Sequence, residues 1–266
     1  MEIYARQVGV TGSHGPLLRP TSLRIRPGDL ALVAGEPGRG HTALALTLAG
    51  QLRPDTGEVL VDGRPDRAAL LRRVAVVDAP QVTEPDDGLP LAAVIAEELA
   101  LTGAASGRRA VSGWLAARDG AQYARDRVQT LPPAVRTRLL VELAAARPGI
   151  EVLILDCPDR HTDDVRSWWE LARAHAERGI AVVVLCNNSS AQLLGVPAAR
   201  LGQHEQPPPL APAAPAPPAP PAPPPATLSA PPAPPAPAQP AATLPADPAT
   251  PAAPEAPATT QLEKKP

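Results

Sequence analysis

Short apolar runs alternate with longer helix-compatible segments along residues 1–206. The runs are bounded by turn-forming or polar residues and predict strands at residues 23–25, 30–34, 59–61, 74–77, 152–155 and 180–185. Helices are predicted at residues 41–52 and 163–178. This alternation favours an α/β fold in which helices flank a mainly parallel sheet.

Two further regions differ from this pattern. Residues 91–147 are helical in pattern and less apolar, which predicts a small helical subdomain within a single domain of residues 1–206. Most of the 38 prolines follow Gln206, and the chain from residue 207 is dominated by proline and alanine. Such a stretch cannot bury enough apolar surface to offset the entropy lost on ordering. We therefore expect residues 207–266 to form a disordered tail, either a mobile spacer or a polyproline segment that binds a partner's groove.

Composition argues against several classes of function. The formal net charge of −2 gives no electrostatic reason to expect nucleic acid as a partner. Charges interrupt the apolar positions of the first residues, unlike a signal peptide, and no apolar run approaches the roughly 20 residues that span a bilayer. The two cysteines, Cys157 and Cys186, match neither a disulfide framework nor a zinc site. These features predict a cytoplasmic protein.

The predicted strand at residues 30–34 runs directly into the glycine-rich segment Gly35-Glu-Pro-Gly-Arg-Gly-His-Thr42. Glycines let the backbone approach a ligand closely, and main-chain N–H groups at a helix start form a cradle for anions. The segment follows the phosphate-loop (P-loop) pattern G-x-x-x-x-G-K-[ST], with His41 in place of the lysine and Thr42 at the magnesium-binding hydroxyl position. The alternative is an ordinary strand–turn–helix in which the glycines serve only geometry.

Three other segments accompany this loop. Residues 21–35 lead into it as Thr-Ser-Leu-Arg-Ile-Arg-Pro-Gly-Asp-Leu-Ala-Leu-Val-Ala-Gly, and residues 48–63 follow its helix as Leu-Ala-Gly-Gln-Leu-Arg-Pro-Asp-Thr-Gly-Glu-Val-Leu-Val-Asp-Gly. A later apolar strand ends in Asp156-Cys-Pro158, with Asp163 shortly after it. In this order the segments resemble the ATP-binding cassette (ABC) family of membrane transporters over about residues 21–188. The arginine-rich, lysine-poor composition is typical of a GC-rich genome such as that of an actinobacterium.

The resemblance implies ATP and Mg²⁺ as ligands, with the metal held by Thr42 and Asp156. It implies these nucleotide-binding positions: Gly35, Pro37, Gly38, Arg39, Gly40, His41, Thr42, Ala43, Gln81 and Asn187. It also implies a second cassette subunit, forming a homodimer or a heterodimer around two nucleotides. Both cassettes would bind a membrane permease at the inner face of the cell membrane.

Four positions depart from the family's pattern. His41 is shorter than lysine, and an imidazole is only partly charged near neutral pH. Cys157 replaces the glutamate that polarises the attacking water, and a thiol is a poor general base. Asn187 replaces the switch histidine, and an amide relays no proton. Residues 131–135, Leu-Pro-Pro-Ala-Val, stand in the register of the Leu-Ser-Gly-Gly-Gln signature, although proline offers no N–H to a partner's nucleotide. We therefore expect no catalytic residues and weak or absent hydrolysis.

Several features of the sequence fit two interpretations. The position of the family's Q-loop glutamine falls on Gln81 or, in a second alignment, on Ala79. Asn187 and Asn188 are equally compatible with a plain turn after a strand. The main alternative function is a catalytically dead scaffold that binds no nucleotide, although a scaffold has no need of the loop glycines and Thr42. A P-loop ATPase that acts away from membranes is a weaker alternative.

Overall fold

The computed structural model describes residues 1–211, so most of the predicted tail, from residue 212 onward, lies outside the described residues. The strands of residues 1–211 are β1 (Ile3–Gly12), β2 (Gly15–Ile25), β3 (Leu30–Gly35), β4 (Thr56–Val61), β5 (Val74–Val77), β6 (Val152–Asp156), β7 (Ala181–Asn187) and β8 (Ala199–Arg200). The helices are α1 (His41–Leu48), α2 (Arg67–Arg73), α3 (Leu91–Leu101), α4 (Arg108–Ala116), α5 (Pro133–Ala145), α6 (Val165–Glu177) and α7 (Asn188–Leu194).

A five-stranded parallel sheet forms the centre of the fold, in the order β5-β6-β7-β3-β8. The strands β3, β6 and β7 are apolar along almost their whole length, as expected for parallel strands covered on both faces. Along β3, Ala31 and Val33 face the core that contains α1, whereas Leu32 and Ala34 face the core that contains α6. Because these strands are parallel, their carboxyl ends meet at one edge of the sheet, where α/β folds bind ligands.

The strands β2, β1 and β4 form a separate antiparallel sheet, in which Ile3 pairs with both Ile25 and Val61. These residues belong to the same buried core as the apolar face of α1. Helix α1 contacts strands of both sheets. The helix that follows the glycine-rich loop is therefore held between two sheets.

The helices α3, α4 and α5 enclose a core of their own. Its buried residues are Leu91, Ile95, Val111, Leu115, Leu131, Leu139 and Leu143. Helix α5 also contacts β5, β6 and α6, which joins this core to the parallel sheet. Within residues 1–211, no helix combines the length and the apolar character needed to cross a membrane.

The segment that follows β8 returns along the domain. The N–H of Ser22 donates to the carbonyl of Gln203 at 3.0 Å. Leu210 then pairs with Leu30 at the start of β3 through two main-chain hydrogen bonds of 2.9 Å each. The predicted domain boundary at residue 206 falls shortly before this pair.

The predicted α/β fold with a parallel sheet flanked by helices is confirmed, and each predicted strand overlaps an observed one. The sequence pattern did not predict β1, β8, α2 or α7. Strand β1 escaped because its pairing with β2 contains several register shifts and Gln7 has a φ of 50°, which breaks the two-residue alternation.

Helix α1 ends at Leu48, earlier than the predicted residue 52. Gly50 adopts a left-handed φ of 70° just after the helix. The N–H groups of Gln51 and Leu52 then fold back onto the carbonyl of Leu46, at 2.8 and 3.0 Å. Glycine in this conformation closes a helix by satisfying its last carbonyl groups, so the chain leaves α1 there.

Candidate functional site

The loop between β3 and α1 begins with a tight turn. Pro37 and Gly38 occupy its central positions, and the N–H of Arg39 donates to the carbonyl of Glu36 at 3.1 Å. Gly38 has a φ of 75°. This is the geometry of a type II turn, in which proline pre-sets the second residue and glycine adopts the positive φ of the third without strain. The sequence Glu-Pro-Gly-Arg therefore determines the shape of the loop.

Gly40 precedes α1 and has a φ of 105°. A Cβ atom at this position would lie 2.4 Å from the carbonyl oxygen of Leu17 in β2. Any other residue would clash with the main chain and adopt a strained φ. This close approach fixes the start of α1, whose first N–H groups have no partner within the helix. Such groups, at a helix start that includes Ala43, are suited to binding an anion.

Thr42 and Asp156 are in direct contact. Thr42 lies in the first turn of α1, and Asp156 is the last residue of β6. The Thr42 hydroxyl donates a hydrogen bond of 2.6 Å to Oδ2 of Asp156. The fold thus brings together the two residues that the sequence analysis assigned to magnesium.

The Asp156 carboxylate is almost fully buried, and its Oδ1 atom has no hydrogen-bond partner among the described residues. Burial raises the pKa of Asp156, while the hydrogen bond from Thr42 opposes this shift. A buried carboxylate oxygen without a hydrogen-bond partner requires an explanation, and one explanation is that the oxygen binds a cation. Mg²⁺ takes oxygen ligands and is held by few protein groups beside the phosphates of a substrate. This pair of oxygen donors fits that ion.

The His41 side chain is turned towards the parallel sheet. The residue is 6% exposed, and Nε2 lies 2.9 Å from the carbonyl oxygen of Cys186 in β7. Because a carbonyl only accepts, Nε2 donates this hydrogen bond. The same atom would lie 3.1 Å from a Cβ atom on Gly35, so glycine leaves room for the ring. His41 borders the loop, but the Nε2 proton is directed to a strand.

Cys157 turns the chain after β6. It has a left-handed φ of 53°, and its N–H donates to the carbonyl of Leu185 at 3.0 Å. Burial raises the pKa of the Cys157 thiol, and the carboxylates of Asp156 and Asp159 raise it further. The thiol is therefore protonated at neutral pH and provides no general base at this position.

Asn187 ends β7 and caps α7. Its side-chain oxygen accepts from the N–H of Ser190 at 2.7 Å, a typical arrangement for the residue before a helix. Its own N–H donates to Oδ2 of Asp159 at 2.8 Å, and the Ser190 hydroxyl donates to the same oxygen at 2.8 Å. Of the two interpretations of Asn187, these contacts support a structural role at the strand exit.

A cavity of about 610 Å³ opens beside the loop, within the size range of small-molecule sites. The predicted residues that line it are Pro37, Gly38, Gly40, His41, Thr42, Ala43, Asp156 and Asn187. Seven further residues line it without a predicted binding role: Leu17, Leu46, Leu52, Pro80, Cys157, Asp159 and Arg160. The fold therefore gathers most of the predicted site around one cavity.

Three predicted residues do not line this cavity. Gly35 and Arg39 border a separate cleft together with two other arginines. Gln81 is exposed and has a φ of 61°, and the alternative Ala79 is fully buried. Neither candidate for the Q-loop glutamine directs a side chain into the cavity in this structure.

Arg160 reaches the cavity from the turn after β6. Its Nη1 donates to the main-chain oxygen of Asp156 at 2.8 Å. Its Nη2 donates to Oε1 of Glu84 at 2.9 Å and lies 3.2 Å from Oδ1 of Asp78. The left-handed Cys157 reverses the chain, so Arg160 returns to Asp156. The only sequence signal was an arginine four residues after the aspartate that ends an apolar strand.

The segment in the signature register, residues 131–135, forms the start of α5. Pro132 is the residue before the helix and Pro133 is its first residue, a position where proline is well tolerated because no N–H is needed. Arg136 follows and is buried, with hydrogen bonds to Asp78 at 2.8 Å and Asp87 at 3.0 Å. In the described structure this segment initiates a helix and buries an ion pair.

Known proteins share this architecture. A family model described as ABC transporter matches residues 18–157, more than half of the chain. The cytochrome c biogenesis ATP-binding export protein CcmA of Alkalilimnicola ehrlichii is 30% identical over 192 residues, covering 70% of this chain and 80% of the relative. The chain belongs to the ABC transporter family of ATP-binding proteins.

Other relatives of this ABC cassette match over different lengths. The hemin import ATP-binding protein HmuV of Pseudomonas aeruginosa is 30% identical over 185 residues, 65% of this chain and 71% of the relative. The ribose import ATP-binding protein RbsA 2 of Streptomyces avermitilis is 54% identical, but only over 48 residues, so this chain spans 10% of that protein's length. The resemblance to the family is confirmed, whereas the names of these relatives differ in cargo and direction.

Solved structures agree on the fold. The dimeric bacterial ABC transporter cassette MJ0796 superposes with a TM-score of 0.58 at 19% identity, covering 77% of this chain and 97% of that one. A nucleotide-free ATP-binding cassette from an ABC transporter gives a TM-score of 0.55 at 14% identity, covering 77% and 92%. At such identities the likeness concerns the fold alone.

Proposed function

We propose that this ABC cassette is the nucleotide-binding subunit of a membrane transporter and binds ATP–Mg²⁺ with weak or absent hydrolysis. The observation that carries the proposal is the contact between Thr42 and Asp156, with the buried Oδ1 atom of Asp156 left without a partner. Two oxygen donors at a helix start, on the wall of a cavity of about 610 Å³, suit a magnesium ion bound to nucleotide phosphates.

Three features support weak hydrolysis. The pKa of Cys157 is raised by burial, so the residue after Asp156 offers no base to activate water. The His41 ring is bound to the Cys186 carbonyl, and the loop lacks the lysine that places a compact charge on phosphate. Asn187 caps α7 and has no proton to relay. Nucleotide binding therefore depends mainly on main-chain N–H groups and the metal ligands. Hydrolysis lacks the general base, the lysine and the switch histidine that the family uses.

The names of relatives support a partner in the membrane. CcmA is an export protein and HmuV an import protein, and the MJ0796 cassette is a dimer. We extend this to the present chain as a pair of cassettes, identical or different, bound to a permease at the inner face of the membrane. Residues 131–135 offer prolines where the family uses a serine and glycines. In a pair of different cassettes, the second cassette would supply a signature loop with the serine and glycines that bind nucleotide.

A scaffold that binds no nucleotide is the second candidate. The observation that favours it is the hydrogen bond from His41 to Cys186, which directs the loop's central side chain to the sheet. In that case the glycines at positions 38 and 40 serve only the turn and the packing against β2.

Calorimetric titration of the full chain with ATP in Mg²⁺, with hydrolysis assayed on the same sample, tests the proposal. Binding without turnover supports it. Turnover at the rate of an ordinary cassette contradicts weak hydrolysis, and no binding at millimolar ATP favours the scaffold. Replacing Mg²⁺ by EDTA in a parallel titration separates metal-dependent binding from adenosine binding alone.

A further inference from the structure

A polyphosphate is an anion and requires positive charge at its binding site, but the cavity is lined by few basic side chains. Asp156 and Asp159 are its acidic lining residues. The loop's own basic residues are directed elsewhere, since Nε2 of His41 donates to Cys186 and Arg39 borders a separate cleft. Among the described residues that line the cavity, Arg160 is the one with a permanently charged basic side chain.

We propose that Arg160 binds the phosphates of the nucleotide and takes over the charge of the lysine missing from the loop. This inference rests on the proposed function, because it concerns the same ligand and the same cavity. A guanidinium group presents paired N–H donors that match phosphate oxygens, and it keeps its charge at every physiological pH.

The contacts of Arg160 place its guanidinium close to the metal ligands. Nη1 is held at 2.8 Å by the main-chain oxygen of Asp156, the residue whose carboxylate contacts Thr42. The side chain is 23% exposed, so it is neither buried out of reach nor free in solvent. Arg160 lines the same cavity as Thr42 and Asp156, so a ligand that fills this cavity shares its wall with the guanidinium.

The other half of the guanidinium is occupied by acidic groups. Nη2 donates to Glu84 at 2.9 Å and lies 3.2 Å from Asp78. Asp78 has other partners, because it also accepts from Arg136 at 2.8 Å and contacts His161 at 2.9 Å. Glu84 is more exposed than Asp78, and its other basic neighbour, Arg136, is 3.7 Å away. Glu84 therefore competes with phosphate for Arg160.

This competition predicts effects of opposite sign. Removing the charge of Arg160 deprives the ligand of a donor and weakens binding. Removing the charge of Glu84 frees Nη2 and tightens binding. If the ion pair serves only to order the loops, either change weakens binding, since each breaks the same contact.

The test is calorimetric titration of full-length variants with ATP–Mg²⁺. We expect Arg160→Gln to raise the Kd about tenfold or more, as for the loss of a charge-assisted hydrogen bond, and Glu84→Gln to lower it about threefold. Arg160→Lys keeps a positive charge and should recover part of the affinity. Arg166→Gln is the matched control, because Arg166 is exposed, lies outside the cavity and forms no ion pair within residues 1–211.

The possible outcomes separate this inference from the proposed function. Equal affinities of the Arg160→Gln and Arg166→Gln variants would overturn the role of Arg160 while the unaltered chain still binds ATP. A loss of affinity in Glu84→Gln would overturn it as well and would show that the ion pair between Arg160 and Glu84 serves to order the loops. No binding by the unaltered chain would remove the proposed function and this inference together. If Arg160→Gln lowers the melting temperature sharply, its affinity is not compared. In that case Arg160→Lys and Glu84→Gln test the role of Arg160, which requires a higher Kd in the first variant and a lower Kd in the second.

Discussion

The Thr42 hydroxyl donates a 2.6 Å hydrogen bond to Oδ2 of Asp156, joining residues that lie 114 positions apart in the sequence. The contact links the first turn of α1 to the end of β6, while Oδ1 of the same carboxylate has no partner within the described residues. Both oxygen donors are thus in place before any cation arrives, which lowers the cost of ordering them on binding.

Thr42→Ala should weaken magnesium-dependent nucleotide binding about tenfold, because it removes one oxygen donor from the predicted metal site. Calorimetry with and without Mg²⁺ measures the effect. Thr42→Ser keeps the hydroxyl and should bind like the unaltered chain. Unchanged affinity in Thr42→Ala would show that this loop is not a working phosphate site.

Asp156→Asn should stabilise the ligand-free protein at pH 7 and abolish its response to magnesium. Burial raises the pKa of Asp156 in the folded state, so this group favours folding below its unfolded pKa and loses that contribution as pH rises through the folded value. A gain of about 1 kcal/mol corresponds to a rise in Tm of roughly 2–4 °C.

Thermal melts of Asp156→Asn at pH 5 and pH 7 measure this effect, and the gain over the unaltered chain should be larger at pH 7. The melts are repeated with ATP and Mg²⁺. A variant that is less stable than the unaltered chain at pH 7 would contradict the raised pKa of Asp156. A variant that gains more stability from ATP with Mg²⁺ than from ATP alone would contradict the assignment of Asp156 to a metal.

His41→Lys should tighten ATP–Mg²⁺ binding without giving substantial turnover. A lysine has no reason to stay against the Cys186 carbonyl, and its ammonium can reach towards phosphate, but Cys157 still provides no base. His41→Gln keeps a hydrogen-bond donor without the charge and should not tighten binding. Turnover in His41→Lys equal to that of an ordinary cassette would refute our interpretation of Cys157.

Arg136→Met should destabilise the protein by about 3 kcal/mol, because it leaves Asp78 buried without its main ionic partner. Burial on its own raises the pKa of Asp78, but hydrogen bonds from His161 and Arg136 outweigh it, and the pKa lies below its usual value. This stabilisation is therefore present above the unfolded pKa of about 3.9 and is lost as pH falls through the lower folded value.

Urea denaturation of full-length Arg136→Met at pH 7 and pH 3 measures the loss, which should shrink at the lower pH. Arg173→Met is the control, since Arg173 forms ion pairs with Glu170 and Glu177 on the exposed surface of α6, where such pairs contribute little. Equal stabilities of the two variants would contradict a structural role for the buried pair.

Much of the fold and of the candidate metal site was predictable because the signals are local. The strands β3, β6 and β7 are apolar runs, and their burial on both faces requires such runs. Asp156 was found because it ends one of these runs, and the loop was found by its glycine spacing. The cavity that joins Thr42 to Asp156 then follows from the parallel order of the strands.

What escaped prediction depends on contacts between distant residues. Arg160 and Glu84 are 76 positions apart, and no periodic pattern in the sequence predicts their contact. The direction of the His41 ring depends on the Cys186 carbonyl, 145 positions away. Strand β1 was hidden for a local reason, because a positive φ at Gln7 breaks its alternation.

The pair of hydrogen bonds between Leu30 and Leu210 determines where the domain can be shortened. A chain that stops at Gln206 would lose both of these bonds and leave the N–H and carbonyl groups of Leu30 without Leu210 at the start of β3. A chain that stops after Ala211 would keep both bonds. Leu30 lies about 17 Å from the loop at the other end of β3, so a fluorophore or affinity tag attached after Ala211 would begin at the end of the strand farthest from that loop.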